Sequence, residues 1–317
     1  EEFPYALHHF TGSKEHNTAM RHRAKAMGIK MNEYGLFKGD VLIKCASEEE
    51  IFEKLSLQYV PPELRENAGE IEAAERGKIP VLVEEGDLKG IFHVHTTYSD
   101  GRSSLVDVVQ RARELGYSYI AITDHSRSAF YANGLSEERL LEQWEEIEAL
   151  NEKYGDIAIL RGIEVDILPD GSLDYSDEVL DKFDLVITSV HSHFKMSREE
   201  MTRRVIKAIE NKHTHIIGHL TGRLLLSRDG YDIDVYQVIE AAGKHGKVLE
   251  INSSTYRLDL DWRYLKYARD KGVKFAICPD AHSTEGLEDV KYGIGIARKG
   301  WLEAKDVINT YDLQQVL

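Results

Sequence analysis

A series of short motifs in this chain sets imidazoles beside carboxylates at spacings suited to metal binding. His93 and His95 stand two apart at the end of the apolar run 91–95, and Asp100-Gly101 follows. In a strand, residues i and i+2 share a face, so the two rings are expected side by side and able to hold one ion. The device recurs. Asp124-His125, Glu164-Val165-Asp166, His191-Ser192-His193, His219 and Asp280-Ala281-His282 each close an apolar run. A single strand-end histidine is more often a packing or hydrogen-bonding residue than a ligand, but coincidence at so many ends is improbable. A mixed set of imidazoles and carboxylates suits Zn²⁺, Mn²⁺ or iron. One carboxylate bridging two such ions, about 3.5–4 Å apart, is an arrangement for hydrolysing phosphate esters.

The elements that must position these residues form an alternating pattern. Apolar runs at 91–95, 119–123, 158–168, 184–190, 216–220, 248–252 and 274–278 read as strands. Helical periodicity fills 103–115, 136–153, 197–211, 232–245 and 261–271, with shorter helical pieces near 175–182, 286–291 and 303–309. Strand–helix alternation implies an α/β fold with a parallel sheet. Seven strands favour a closed or nearly closed β/α barrel over an open sheet. The C-terminal strand ends of such a barrel meet at one mouth. The sixth run, ending Glu250-Ile251-Asn252, is the exception and is expected to give no ligand. His193 is left open, as it could share a face with His191. The remaining histidines, among them His8 and His16, are expected at the surface or in packing, and Cys278 inside a strand as a buried small residue.

Ahead of this lies a small α+β module over residues 1–62. It has an expected helix at 16–27, two strands at 29–37 and 40–45, and a helix at 48–55 opened by Ser47. Pro61-Pro62 breaks the chain. Residues 63–90 are charged and read as a linker with one short helix near 70–76, and 91–317 form the large domain.

Composition narrows the function. The formal net charge of −15 over 317 residues argues against a surface gripping DNA through many phosphates. No stretch resembles a membrane span or signal peptide. Cys45 and Cys278 make no disulfide framework, which fits a reducing, cytoplasmic compartment. The chain begins Glu-Glu-Phe without Met and is expected to be a piece of something longer.

Two resemblances carry the reading further. Phe10-Thr11-Gly12-Ser13, Asn17, Asn32-Glu33-Tyr34 and the exit Tyr59-Val60-Pro61-Pro62-Glu63-Leu64-Arg65 resemble the thumb subdomain of family X DNA polymerases. His-x-His-x4-Ser-Asp-Gly, Thr-Asp-His, Gly-x-Glu-x-Asp, Ser-Val-His-Ser, Gly-His and Asp-Ala-His resemble, in this order, the PHP (polymerase and histidinol phosphatase) domain. Thr221-Gly222-Arg223 and Arg298-Lys299-Gly300-Trp301 look like the version fused to bacterial and archaeal family X polymerases. The resemblance implies a distorted seven-stranded β/α barrel with three divalent metals, zinc or manganese. By that resemblance His93, His95, Glu164 and Asp280 hold the first. Glu164 bridges to a second completed by His191 and His219. Asp100, His125 and His282 hold the third. Glu164, His191 and Asp280 are the residues expected to act in the reaction. Leu220, Ser253-Ser254-Thr255 and Cys278-Pro279 depart from the usual pattern and bear on substrate fit.

The implied activity is a 3′–5′ exonuclease of DNA repair acting through a metal-bridging hydroxide, with 3′-phosphatase or abasic-site cleavage open beside it. The expected partner is DNA, preferentially single-stranded 3′ ends, and the oligomeric state is left open. Polymerisation is not expected to carry over, because the palm carboxylates of that family would lie upstream of Glu1. Arg223 and Arg257 are candidate phosphate clamps, since the guanidinium fork matches phosphate oxygens. An ion pair with Asp259 or Asp261 is an equal alternative for Arg257, and Arg223 is the stronger candidate. Two rival readings remain, a small-molecule phosphatase of histidinol-phosphatase type and a non-catalytic module. The complete ligand set speaks against the second.

Overall fold

The structure is a computed structural model and describes residues 2–317. It divides into two units, Glu1–Val81 and Leu82–Leu317.

The first unit contains helices α1 (Phe3–Thr11) and α2 (Lys14–Ala26), and the antiparallel sheet β1 (Lys30–Asn32), β2 (Gly35–Lys38) and β3 (Val41–Ile43). Helices α3 (Glu48–Lys54) and α4 (Glu70–Glu75) complete it. Helix α1 has no counterpart among the expected elements. Its Phe3, Leu7 and Phe10 face solvent, and only Tyr5 and His8 are buried, so no regular stripe announces it. The run expected as one strand over 29–37 is instead a hairpin, because Asn32 Oδ1 accepts the backbone N–H groups of Tyr34 and Gly35 and turns the chain.

The stretch 63–90 is not a free linker. Buried Glu70 bonds buried His16 at 2.6 Å, and Gln58 accepts the N–H of Ile79 at 3.0 Å, so residues up to 81 belong with the first unit. Val83 donates to the carbonyl of Leu302 and, with Leu88, joins the core of the second.

The second unit alternates as expected. In chain order come β4 (Gly90–Val94), α5 (Leu105–Glu114), β5 (Tyr119–Ile122), α6 (Glu137–Lys153), β6 (Ala158–Asp166), α7 (Asp177–Leu180), β7 (Leu185–Ser189) and α8 (Arg198–Glu210). They continue with β8 (Ile216–Ile217), α9 (Val235–His245), β9 (Val248–Asn252), α10 (Trp262–Asp270), β10 (Phe275–Cys278), α11 (Val290–Lys299) and α12 (Leu313–Val316). Several helices start where a polar side chain after a strand takes up a free N–H. Ser104, Ser136, Ser197, Asp234 and Asp261 do this for α5, α6, α8, α9 and α10.

The seven strands are parallel and neighbour one another in sequence order. Alternate residues split the core. Ile120, Ile122, Ile163, Val165, Leu249, Ile251 and Ile277 face the helices. Phe92, Tyr119, Ala121, Leu160, Ile187, Ala276 and Cys278 cluster on the other face, in the barrel interior.

The barrel is nearly closed between β4 and β10. At the C-terminal end Val94 bridges Ala281, with His95 N–H to Ala281 O at 2.8 Å and Ala281 N–H to His93 O at 3.1 Å. At the other end the buried Asn309 amide accepts from Ile277 N–H at 2.8 Å and donates to the carbonyls of Gly90 and Ile277.

Candidate metal centre

All nine expected ligands meet at the C-terminal mouth of the barrel. They fall into groups whose donor atoms lie within 4.8 Å of one another: His95, Asp100, His125 and His282; His93, Glu164 and His219; His93, His95 and Asp280; His125, Glu164 and His191. Glu164 is at the centre and is buried. Its Oε1 lies 3.2 Å from His93 Nε2, 3.3 Å from His191 Nε2 and 3.0 Å from His219 Nε2. Its Oε2 lies 3.0 Å from His125 Nδ1 and 3.6 Å from His95 Nε2. Oε1 thus faces His93, His191 and His219 and Oε2 faces His95 and His125, so the carboxylate touches side chains of all three expected sets, and the groups drawn together, His93 with His219 and His125 with His191, differ from the expected second and third sets. Asp280 Oδ1 sits 3.3 Å from His95 Nε2 and 3.6 Å from His93 Nε2. Asp100 Oδ1 sits 3.4 Å from His282 Nε2 and 3.7 Å from His125 Nε2.

These residues fit divalent cations. Tetrahedral bonds of about 2.0–2.2 Å set neighbouring donors roughly 3.4 Å apart, which is the spacing seen. Buried donor atoms of the cluster also lack hydrogen-bond partners, namely His93 Nε2, both ring nitrogens of His95, His125 Nδ1, Glu164 Oε2 and His219 Nδ1. Polar atoms buried so completely are normally satisfied, and a cation is the partner their chemistry suits.

The local backbone differs from the regular strand that the spacing suggests. The β4–β5 register shifts between Ile91 and Val94, and His93 has φ 59°. His93 and His95 do come together, with ring centroids 5.2 Å apart, but on bulged backbone. Asp280, with φ 52°, is also left-handed. Such conformations in non-glycine residues cost about 1–3 kcal/mol each and gather at functional sites. Gly218 is required by its surroundings, since a Cβ there would stand 2.3 Å from Ser189 Oγ. At Gly101 a Cβ would meet the His95 carbonyl oxygen at 2.5 Å.

A second layer of polar groups aims the cluster. Glu250 accepts from His93 Nδ1–H and, at 2.5 Å, from the backbone N–H of His219. Asp166 accepts from His191 Nδ1–H at 2.5 Å. His282 donates Nδ1–H to the carbonyl of Asp280 at 2.9 Å. Asn252 donates to Asp280 Oδ2 at 3.1 Å. Each such bond leaves the far nitrogen or oxygen of the ligand facing the centre. The sixth strand adds no residue to these groups, and its Glu250 and Asn252 support them instead. The signal was present: Leu249 and Ile251 are the helix-facing residues, so Glu250 and Asn252 had to face the interior. Asp124, next to His125, is spent on the 96–99 turn, where it accepts from Thr96 and Ser99 and from Gln143.

Electrostatics follow from this density of charge. Burial disfavours a charged His93, but Glu250, Glu164 and Asp280 around it raise its pKa well above the ordinary imidazole value. For His191 the loss of water opposes the charged form, but Glu164 and Asp166 raise it to about 10. His95, deeply buried and facing His125 and His282, is lowered to about 3. Burial alone would raise Glu164 and Asp280, yet the surrounding imidazoles hold both well below the usual carboxylate range.

The two arginines, both candidate phosphate clamps, are placed differently. Arg223 donates Nε–H to the Arg257 carbonyl at 2.8 Å and Nη2–H to that of Leu258, with Asp261 at 3.5 Å, so it braces the 257–261 loop. Arg257 reaches the centre, with Nε 3.2 Å from Asp280 Oδ2, and pairs with neither Asp259 nor Asp261. His193 is exposed and bonds Ser192. Both cysteines are free and buried. His8 and His16 are buried in the first unit.

Comparison with known proteins places this geometry. Residues 6–66 match the DNA polymerase beta thumb, and residues 92–254 match the PHP domain. DNA polymerase/3′-5′ exonuclease PolX of Bacillus subtilis (strain 168) is 45% identical over 318 residues, all of this chain and 55% of that protein, so the chain spans about half the length of this relative. A probable phosphatase of Thermoanaerobacter sp. (strain X514) is 30% identical over 236 residues, 70% of this chain and 91% of the relative. The structure of histidinol phosphate phosphatase from Lactococcus lactis, complexed with zinc, L-histidinol and phosphate, superposes with a TM-score of 0.51 at 19% identity. That match covers 68% of this chain and 95% of the phosphatase, and shows the shared fold. The barrel with its ring of imidazoles and carboxylates, and the match over residues 92–254, make this chain a member of the PHP family, with a DNA polymerase beta thumb match earlier in the sequence.

Proposed function

We propose that the barrel mouth is a metal-dependent phosphoesterase centre that removes nucleotides from 3′ ends of single-stranded DNA, in DNA repair. The observation that carries this is Glu164, whose two oxygens face separate sets of imidazoles. On this reading three zinc or manganese ions bind. His93, His95, Glu164 and Asp280 hold the first, Glu164, His191 and His219 the second, and Asp100, His125 and His282 the third. Bound there, divalent ions supply Lewis acidity toward phosphate oxygens and lower the pKa of water. The chain's own groups fix the ions and orient the ester. Arg257, held by Asp280 through Nε and by the Arg223 carbonyl through Nη1, stands where it can meet the phosphate, and Asp166 keeps His191 turned inward. The thumb match supports DNA as the substrate class. Two free cysteines agree with a cytoplasmic setting.

The test is a metal-supplemented assay on 5′-labelled single-stranded DNA, with elemental analysis of the same sample. A ladder shortening from the 3′ end, with bound metal, is expected. Metal-loaded protein that leaves the strand intact would sink the reading. A small-molecule phosphatase is the second reading, favoured by the net charge of −15 and by the 30% identical relative. Faster turnover of a phosphomonoester amino alcohol than of the oligonucleotide would select it.

A further inference from the structure

The mouth of the centre is flanked by large apolar side chains that the fold leaves in solvent. On one side Phe130 and Tyr131 are 88% and 71% exposed. The Tyr131 ring lies 6.2 Å from that of His125 and 6.3 Å from that of His191. On the other side Leu225, Leu226 and Tyr256 line a cavity of about 800 Å³ together with Arg257, Asp280 and His282.

These groups stand on held backbone. The flanking Ala129 and Ala132 are buried, and Asn133 donates to the carbonyls of Tyr98 and Ser99 at 3.3 Å. Leu224 and Arg228 exchange backbone hydrogen bonds of 2.8 Å, so Leu226 caps a tight turn at φ 61°, fully exposed. Leu225 N–H donates to the Tyr256 carbonyl at 2.7 Å, tying the two loops together. Fixed apolar groups in water around a site for a charged ester call for a partner both flat and apolar, joined to a phosphate. An unpaired nucleobase has that chemistry, and one sugar spans from its ring to its phosphate. A base still paired in a duplex keeps its faces stacked on its neighbours, so the platform selects single strands.

We propose that Phe130 and Tyr131 on one side, and Leu225, Leu226 and Tyr256 on the other, form a subsite that holds the unpaired 3′-terminal bases of single-stranded nucleic acid while the phosphate lies at the metal-facing cluster. This rests on the phosphoesterase reading above. The subsite gives end selection to apolar stacking, and so explains how an acidic protein takes a polyanion. Positive charge at the cavity comes from Arg257 and Arg102 beside the centre, and the bases contribute apolar contact.

The test compares two 5′-labelled oligonucleotides that differ only in abasic residues at the two 3′-terminal positions. With manganese-loaded protein, the base-bearing strand is expected to bind about tenfold more tightly and to show a correspondingly lower KM. Fluorescence anisotropy on phosphorothioate versions reads the affinities without turnover. Tyr131→Ala and Leu226→Ala are expected to bring the ratio between the two strands toward one, whereas Tyr131→Phe keeps it. Equal affinities of the wild type for both strands, or an unchanged ratio in both alanine variants, would overturn the base subsite and leave these side chains to a protein partner. Failure of the wild type to cleave either strand would overturn the phosphoesterase reading and the subsite with it.

Discussion

Glu250 grips His93 from behind, taking the Nδ1 hydrogen and leaving Nε2 to face Glu164 at 3.2 Å. Its second oxygen holds the backbone of His219, so one buried carboxylate orients two ligands. Glu250→Gln is expected to weaken metal binding about 10–100-fold, as loss of such supports does elsewhere. Competition with a chelating dye measures this, and unchanged affinity would remove Glu250 from the role.

Glu164→Gln should abolish hydrolysis, because a neutral amide cannot serve two cations as a carboxylate does. Elemental analysis should show reduced metal in the same sample. A variant that keeps near wild-type rate would exclude Glu164 from bridging.

Arg257→Ala and Arg223→Ala should part company. Loss of Arg257 is expected to raise KM on single strands and to make the log–log salt slope shallower by about 0.7. Loss of Arg223 removes the brace of the 257–261 loop, and should lower the melting temperature by about 2–4 °C for roughly 1 kcal/mol. The converse pattern would restore Arg223 as the clamp.

Acid should weaken the first unit through Glu70. Burial would raise its pKa, but the bond from His16 and the backbone N–H groups of Asn67 and Ala68 hold it below 4.5. A depressed carboxylate contributes stability that is complete above its unfolded pKa and is lost as pH falls through the folded one. The wild type should therefore lose stability below pH 4.5 more steeply than Glu70→Gln. Parallel unfolding curves for the two would contradict this.

The barrel and the gathering of the nine side chains at its mouth were readable because one pattern carried both. Apolar runs gave the strands, and polar residues at their ends had to converge once the sheet was parallel. What escaped was set by backbone rather than by pattern. The bulge at His93 and the left-handed Asp280 leave no periodic mark. Which of Arg223 and Arg257 reaches the centre depends on how the 257–261 loop folds back, which residue type does not reveal. The supporting role of Glu250 is carried by its parity in the strand, which turns it inward, and not by a ligand motif.

The seam between β4 and β10 has a consequence for how the barrel opens. Its upper half is made of backbone from His93, His95 and Ala281, the same segments that carry the cluster, while Asn309 fastens its lower half. A cation shared by His93, His95 and Asp280 would button together the two strands farthest apart along the barrel, adding its binding free energy to the closed form. Chelation should then speed deuterium exchange at the amides of His95 and Ala281 while the Ile277 amide, pinned by Asn309, stays slow. In this molecule, losing metal and unzipping the mouth would be one motion.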